Sequence, residues 1–221
     1  MESRTIGRVT TGVLEALDTR DREALTARLQ LRRYRPGQVV FNDGDRGECM
    51  HLVSSGRFIV EATTPAGVVV ALRIVHPGEF FGELALVRAG HRRTGRVAAL
   101  EVSETSTLHL DDFEALRRER PGVDRLLVAA LVERVVRTSE LVVEMLMPTE
   151  DRVWRRLVVL AEAYDGGVIN LTQDHLAHAS GTARQTVNRI LRQAQNDGVI
   201  ELMRGGIRVL DLAELQRRAA R

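Results

Sequence analysis

Lysine is missing from this 221-residue chain: all 32 cationic side chains are arginine, set against 30 acids for a formal net charge of +2. With no lysine to titrate, a small positive charge persists far above neutral pH. The isoelectric point of about 9.3 is therefore poor grounds for assigning a polyanionic partner. Cysteine is nearly absent. Cys49 stands alone, which excludes an internal disulfide framework, a thiolate zinc cage and a cysteine-ligated iron–sulfur cluster. No apolar run reaches the ~18 residues a membrane helix needs, and Met1-Glu2-Ser3-Arg4 lacks the basic-then-apolar layout of an export signal. A cytoplasmic protein without a membrane partner is the expectation. Histidines are few and scattered: His51, His76, His91 and His109 are well spread, and no carboxylate or cysteine completes a site with His175 and His178. Neither a metal centre nor a nucleophile–base pair is legible, so no catalysis, metal or prosthetic group is expected. What remains, 44% hydrophobic and 28% charged, is an ordinary globular composition with enough chain for one large domain or two small ones.

Glycine is unevenly spread. Nine of the 18 fall between Gly37 and Gly95, and short β-branched runs lie between them: Gln38–Phe41, His51–Val53, Arg57–Ala62, Val68–Val75, Arg96–Leu100 and Thr107–Leu110. Short strands at regular spacing with glycine turns predict an antiparallel roll, sandwich or barrel. A helical pattern over Thr11–Leu29 precedes them. After Pro121-Gly122 the period changes, and Val123–Met147 reads as one long helix. Leu127, Leu131, Val135, Thr138, Val142 and Met145 recur every three or four residues, with Val128, Val132, Val136 and Val143 as a second apolar flank. That is too much apolar surface for a lone solvent-facing helix. It is expected to pack on the roll and on a partner helix in a dimer, the alternative being burial within its own monomer. Pro148 ends it. Thr149-Glu150-Asp151 looks like a cap and acidic first turn of a helix over Glu150–Tyr164, and Asp165-Gly166-Gly167 is a turn.

Two short helices follow, Thr172–Ala179 and Thr182–Asp197, then a hairpin of Val199–Met203 and Ile207–Leu210 around Arg204-Gly205-Gly206, and an amphipathic helix over Leu212–Arg221. The pair has the layout of a helix-turn-helix. Leu176, Ala177, Val187, Ile190 and Leu191 form its seam, Gly181 suits the turn, and Thr182-x-x-Gln185 matches a capping box. Arg184, Gln185, Asn188 and Arg189 occupy the first exposed turns of the second helix, where arginine can bind guanine bidentately and Gln or Asn can bind adenine. From Ser180 to Gln195 there are three arginines and no acid. The glycine hairpin fits the wing of a winged helix. Double-stranded DNA is the expected partner, although a short helix pair with a solvated arginine face has the same pattern.

Gly78-Glu79-Phe80-Phe81-Gly82-Glu83-Leu84-Ala85-Leu86, followed by Arg92-Arg93-Thr94, closely resembles the phosphate-binding cassette of cyclic-nucleotide-binding domains. With Arg184-Gln185-Thr186-Val187-Asn188-Arg189-Ile190-Leu191 downstream, the chain from about Leu14 to Val209 resembles the cyclic-AMP receptor protein/FNR family of bacterial transcription regulators. The resemblance implies an α+β protein of three parts: a jelly-roll-like, cyclic-nucleotide-binding β-roll (1–121), a dimerisation helix and hinge (122–148) and a winged helix-turn-helix (149–221). It implies an allosteric ligand, cyclic AMP, with Gly82, Glu83, Leu84, Arg93 and Thr94 around the ribose phosphate. Arg93 would meet the phosphodiester charge, Glu83 the ribose 2′-hydroxyl, and Thr138 and Ser139 the adenine, the serine from across the dimer. Alternatives are a relative without a nucleotide ligand, in which Glu83 and Arg93 form a buried ion pair, and one responding to cyclic GMP or another small ligand. For DNA the resemblance implies Thr172, Thr182, Arg184, Gln185, Thr186, Asn188, Arg189 and Arg204, on a pseudo-palindromic operator read by a homodimer, with RNA polymerase as a further partner. Ala183 departs from the hydroxyl residue usual before the arginine. Ala163–Leu171 is shorter than the loop that meets polymerase in the best-studied members.

Overall fold

The computed structural model describes residues 13–87, 90–164 and 167–220. Met1–Arg4, the start of the expected Thr11–Leu29 helix, Asp165-Gly166 of the expected turn and Arg221 lie outside the described residues. The described chain forms two compact units, one of the residues up to Ala62 with Ile74–Arg137, the other of Thr63–Arg73 with the residues from Thr138 onward.

The expected Thr11–Leu29 helix is broken. A 3-10 turn, Val13–Ala16, precedes α1 (Thr19–Thr26). Asp18 interrupts them in extended conformation, its carboxylate accepting from Asp21 N at 2.8 Å. An aspartate that satisfies the first free N–H groups of a helix is more stable as a cap than inside a continuous helix.

Eight strands follow, β1 (Gln30–Tyr34), β2 (Val39–Phe41), β3 (Cys49–Ser55), β4 (Phe58–Thr63), β5 (Val69–Val75), β6 (Phe80–Phe81), β7 (Arg96–Ala99) and β8 (Ser103–His109), with α2 (Leu84–Val87) between β6 and β7. They form two four-stranded sheets, ordered β1-β8-β3-β6 and β2-β7-β4-β5. The long β3·β8 ladder, Cys49 opposite His109 through Ser55 opposite Glu104, is the spine of the first. Phe58, Phe81, Leu52, Ile59 and Leu108 are fully buried. A helical layer closes one side: α3 (Leu110–Glu119) brings Phe113 and Leu116 against Leu14, Leu17, Leu25, Met50, Phe80 and Leu126. The sequence reading did not pick out β1, β6, α2 or α3.

A 3-10 turn, Pro121–Val123, leads into α4 (Asp124–Met145). The second apolar flank expected along this helix is open: Val128, Val132, Val136 and Val143 are exposed, and so are Val135 and Val142 of the first stripe.

The last part holds α5 (Thr149–Ala163), β9 (Val168–Ile169), α6 (Gln173–Ser180), α7 (Arg184–Asn196), β10 (Ile200–Met203), β11 (Gly206–Val209) and α8 (Leu212–Ala219). A three-stranded sheet, β10-β11-β9, packs with α5, α6, α7 and α8 over Val153, Leu157, Leu160, Ile169, Leu176, Val187, Ile190, Ile207 and Leu215, all buried. Two caps differ from expectation. Pro148, not Thr149, is the N-cap of α5, and Thr149 is its first helical residue. Thr182 does not cap α7. Gly181 is left-handed (φ 58, ψ 44), and Thr182 N donates to Ala177 O at 3.0 Å, so Thr182 belongs to the closure of α6. The N-cap of α7 falls to Ala183, which offers no side chain, so the Thr182–Gln185 capping box does not form.

Candidate nucleotide cassette and nucleic-acid interface

Gly82, Glu83 and Leu84 join β6 to α2, and Arg93 and Thr94 precede β7. The turn at Gly82 needs a left-handed residue, φ 83, and a Cβ there would lie 2.5 Å from Arg93 Nη1; only glycine meets both conditions. Arg93 is 5% exposed. Its Nη1 donates to Gly82 O at 3.0 Å and its Nη2 to Cys49 Sγ at 3.6 Å. The guanidinium lies over the Phe41 ring, 4.0 Å from the centroid. Its Nε is buried without a partner. Burial is the main influence on this group and loosens its hold on the proton, with Cys49, Glu83 and Asp45 opposing. A desolvated cation without a carboxylate bonded to it favours an incoming anion.

The backbone fixes Arg93 independently of its side chain. Arg93 N donates to Asp45 O at 2.9 Å, and Gly44 N donates to Arg93 O at 3.0 Å. His91, two residues before, is the one non-glycine with positive φ (46) among the described residues. Its Nδ1 donates to Ala85 O at 2.7 Å, tying the loop to α2. Arg92 points elsewhere: it is exposed, with Nη1 on Gly44 O at 3.0 Å.

Glu83 is 2% exposed. Oε1 accepts from Arg134 Nη1 at 3.1 Å, whereas Oε2 is buried without a partner. The carboxylate is thus paired with Arg134 of α4 and not hydrogen-bonded to Arg93, which differs from the Glu83–Arg93 ion pair weighed as an alternative. Arg134 was not singled out in the sequence. The available signal was its place on α4 one turn before Thr138. Leu84 and Thr94 are half-buried, and Thr138 and Ser139 are exposed positions of α4.

Beneath Arg93 lies a buried aromatic cluster. His51, 4% exposed, stacks on Phe81 at 4.6 Å and 5°. Its Nδ1 is 3.2 Å from Thr105 Oγ1, and its Nε2 is 3.5 Å from Cys49 Sγ. Burial first, and Arg93, Arg32 and His109 after it, push its pKa down to about 3, so the ring is neutral. Among the described residues no group of three or more His, Cys, Asp or Glu is placed to hold a metal ion.

In the other unit, Thr172 is the N-cap of α6, its Oγ1 accepting from His175 N at 3.2 Å. Arg184, Gln185 and Arg189 are exposed on α7, and Thr186 and Asn188 half-buried. Two of them are already engaged by α6: Arg184 Nη1 is 3.1 Å from Asp174 Oδ2, and Asn188 Nδ2 donates to Gln173 Oε1 at 2.8 Å. Thr182 is half-buried in the turn, and Arg204 is exposed at the tip of the β10–β11 hairpin. A cavity of about 430 Å³ opens between that hairpin and α7, lined by Gln173, Asp174, Arg184, Asn188, Met203 and Gly205.

Residues 31–120 match the cyclic nucleotide-binding domain family, and residues 151–218 the Crp-like helix-turn-helix domain. The chain is 34% identical over 189 residues to the cyclic AMP receptor protein of Thermus thermophilus, covering 85% of this chain and 87% of that one. It is similar to the solved catabolite activator protein of Thermus thermophilus, with 31% identity, a TM-score of 0.54, and coverage of 95% of this chain and 99% of the other. The c-di-GMP responsive regulator CLP of Xanthomonas campestris shares the fold at 22% identity and a TM-score of 0.73, over 87% of this chain and 99% of the other.

Proposed function

The chain belongs to the cyclic-AMP receptor protein/FNR family of DNA-binding transcription regulators, and from that premise we propose that it is a homodimer whose operator affinity is set by cyclic AMP bound in the β-roll. A regulator of this family with a cyclic-nucleotide-binding domain and a Crp-like helix-turn-helix is not an enzyme. The observation that carries the finer reading is the cassette. A buried guanidinium with an unpartnered Nε stands beside a left-handed glycine, whose neighbour in the chain is a buried carboxylate with an unpartnered Oε2. In this reading the phosphodiester takes the guanidinium, and Oε2 of Glu83 accepts the ribose 2′-hydroxyl. Thr94 adds a hydroxyl, and the Gly82–Leu84 backbone offers N–H groups. Arg134 holds the other oxygen of Glu83.

Thr138 and Ser139 are proposed as the base contacts. Thr172, Thr182, Arg184, Gln185, Thr186, Asn188, Arg189 and Arg204 are proposed for DNA, with RNA polymerase as a further partner. The exposed valines of α4 support dimerisation, because a stripe of that width needs cover.

Calorimetric titration of the purified protein with cyclic AMP, cyclic GMP and cyclic di-GMP tests the ligand. Saturable one-to-one binding of cyclic AMP per chain, at least as tight as the other two, is expected. Binding of another nucleotide alone, or of none, overturns the cyclic-AMP reading while leaving family membership in place.

A further inference from the structure

Asp174 is the one acid in α6 and α7, which otherwise carry Arg184, Arg189 and Arg192. A face that meets a polyanion gains affinity from each cation and loses it to each carboxylate, so the place of this one needs a reason. An acid in the first turn of a helix complements its dipole, and that would be reason enough if Asp174 faced only water. It does not. Arg184 Nη1, on the first residue of α7, donates to Asp174 Oδ2 at 3.1 Å. The neighbouring residue repeats the pattern: Gln173 Oε1 accepts from Asn188 Nδ2 at 2.8 Å. Thr172 caps the same turn, its Oγ1 accepting from His175 N. The first two residues of α6 thus each hold one side chain of α7.

The atoms used matter. A guanidinium presents five N–H donors in a planar fork, and guanine takes two of them, side by side, on N7 and O6. Asp174 engages Nη1, which leaves the Nε–Nη2 edge with its two parallel donors for a base. An arginine without such a partner at this position has another choice. It can swing to a phosphate, a contact that every DNA sequence offers alike. The side chains of Arg184 and Asp174 are 65% and 50% exposed, so in water the pair adds little to stability. Once DNA covers the face and excludes water, the same charges act on each other more strongly. The pair therefore has its effect in the complex and not in the free fold.

We infer that Asp174 is a positioning residue that sets DNA specificity: it holds Arg184 toward the base edges and away from the phosphates, lowering affinity for DNA in general and raising discrimination at the base pair that Arg184 reads. The role of Arg184 as a base contact rests on the reading proposed above.

The test is selection from random DNA with the full-length protein, with and without cyclic AMP, comparing wild type, Asp174→Asn, Asp174→Glu, Arg184→Ala and the double variant Asp174→Asn/Arg184→Ala. Arg184→Ala marks the symmetric pair of operator positions that Arg184 reads. At those positions Asp174→Asn is expected to weaken the preference by about threefold or more, with the rest of the motif as in wild type. Asp174→Glu, which keeps the charge, retains most of the preference. In the Arg184→Ala background, Asp174→Asn moves no position of the motif. Titration of a random-sequence duplex gives the second readout. Asp174→Asn binds it more tightly, and log affinity falls more steeply with log salt by about one per recognition helix, because the released arginine neutralises a phosphate. A carboxylate that served only the helix would instead shift the melting temperature and change affinity for all sequences in the same proportion, and that result overturns the inference. So does a preference at the Arg184 positions that is unchanged in Asp174→Asn, or one that changes equally when Arg184 is already alanine. The two failures are separable. Arg184→Ala with the wild-type motif, or a wild type that selects no motif, removes base reading by Arg184 and the role of Asp174 with it. A motif altered by Arg184→Ala but not by Asp174→Asn removes the role of Asp174 alone.

Discussion

At the scale of single residues, the cassette sets stability against binding. Arg93 is a buried cation bonded to a carbonyl and a sulfur and stacked on Phe41, so its desolvation is only partly offset. Arg93→Leu removes that cost and keeps apolar contact with Phe41. The expected outcome is a melting temperature equal to or above wild type without nucleotide, together with at least an approximately tenfold loss of cyclic-AMP affinity, since a charged hydrogen bond is worth about 1.5–3 kcal/mol. Unchanged affinity in calorimetry would remove Arg93 from the site.

His51 makes the second residue-scale prediction. Its folded pKa is about 3, below the ordinary value near 6.5 for an unfolded chain. The unfolded state therefore binds more protons between those values. Stability contributed by the neutral ring is present above pH ~6.5 and declines as pH falls toward about 3. Other groups titrate in that range, so the comparison with a variant is what isolates it. His51→Gln lowers stability at neutral pH through lost stacking on Phe81, yet its denaturation midpoint falls less steeply than wild type from pH 6.5 to 4.5. Parallel curves would mean that His51 does not contribute to the acid sensitivity.

At the scale of elements, α4 carries the strongest expectation. Val132 and Val136 are 57% and 49% exposed, among six exposed valines on the helix. If a second copy covers them, Val132→Glu with Val136→Glu buries two carboxylates at the interface and leaves the monomer core untouched. Sedimentation at micromolar concentration is expected to move from a dimer to the 24.6 kDa monomer with the far-ultraviolet spectrum retained. A monomer in the wild type, or a dimer in the double variant, refutes α4 as the interface. What the sequence discloses follows the same scale. Long periodic segments such as α4, α5 and α7 are legible because one face repeats every three or four residues. Six strands are legible from β-branched runs between glycines. β1 escapes because Gln30–Tyr34 carries arginines and pairs along only one edge with β8. β6 has only two residues. Caps escape for a different reason: Thr182 and Thr149 have the right chemistry, but the hydrogen bond from Thr182 N to Ala177 O and the proline before Thr149 decide where each helix starts. Gly82, Glu83 and Arg93 stand out in the sequence because the cassette resembles a known one, whereas the Glu83–Arg134 pair joins residues 51 apart and leaves no local pattern.

At the scale of the whole molecule, the proposed function depends on which DNA a pair of α7 helices in a homodimer would select. A two-fold dimer sets recognition helices about 34 Å apart, one turn of DNA, and so reads a pseudo-palindrome. Gln185 is proposed as one of the residues that read the operator. A purely structural role would have it fold back onto Thr182 as a capping box, but Thr182 is not the cap and Gln185 is an exposed second residue of α7. Its amide is therefore available to a base edge, and bidentate pairing with adenine is open to it, whereas a carboxylate offers acceptors only and suits cytosine N4. Gln185→Glu also adds an acid to the first turn of α7, which favours the helix slightly, so any loss of operator binding is not a loss of fold. The expected result is a change of preference at one symmetric pair of operator positions, by roughly 1–3 kcal/mol. Positions governed by Arg184, which Asp174 already steers, and by Arg189 stay as they were. Selection from random DNA with both proteins measures this directly. A motif that is identical for the two, or one that changes at every position, removes Gln185 as the residue that reads that base pair.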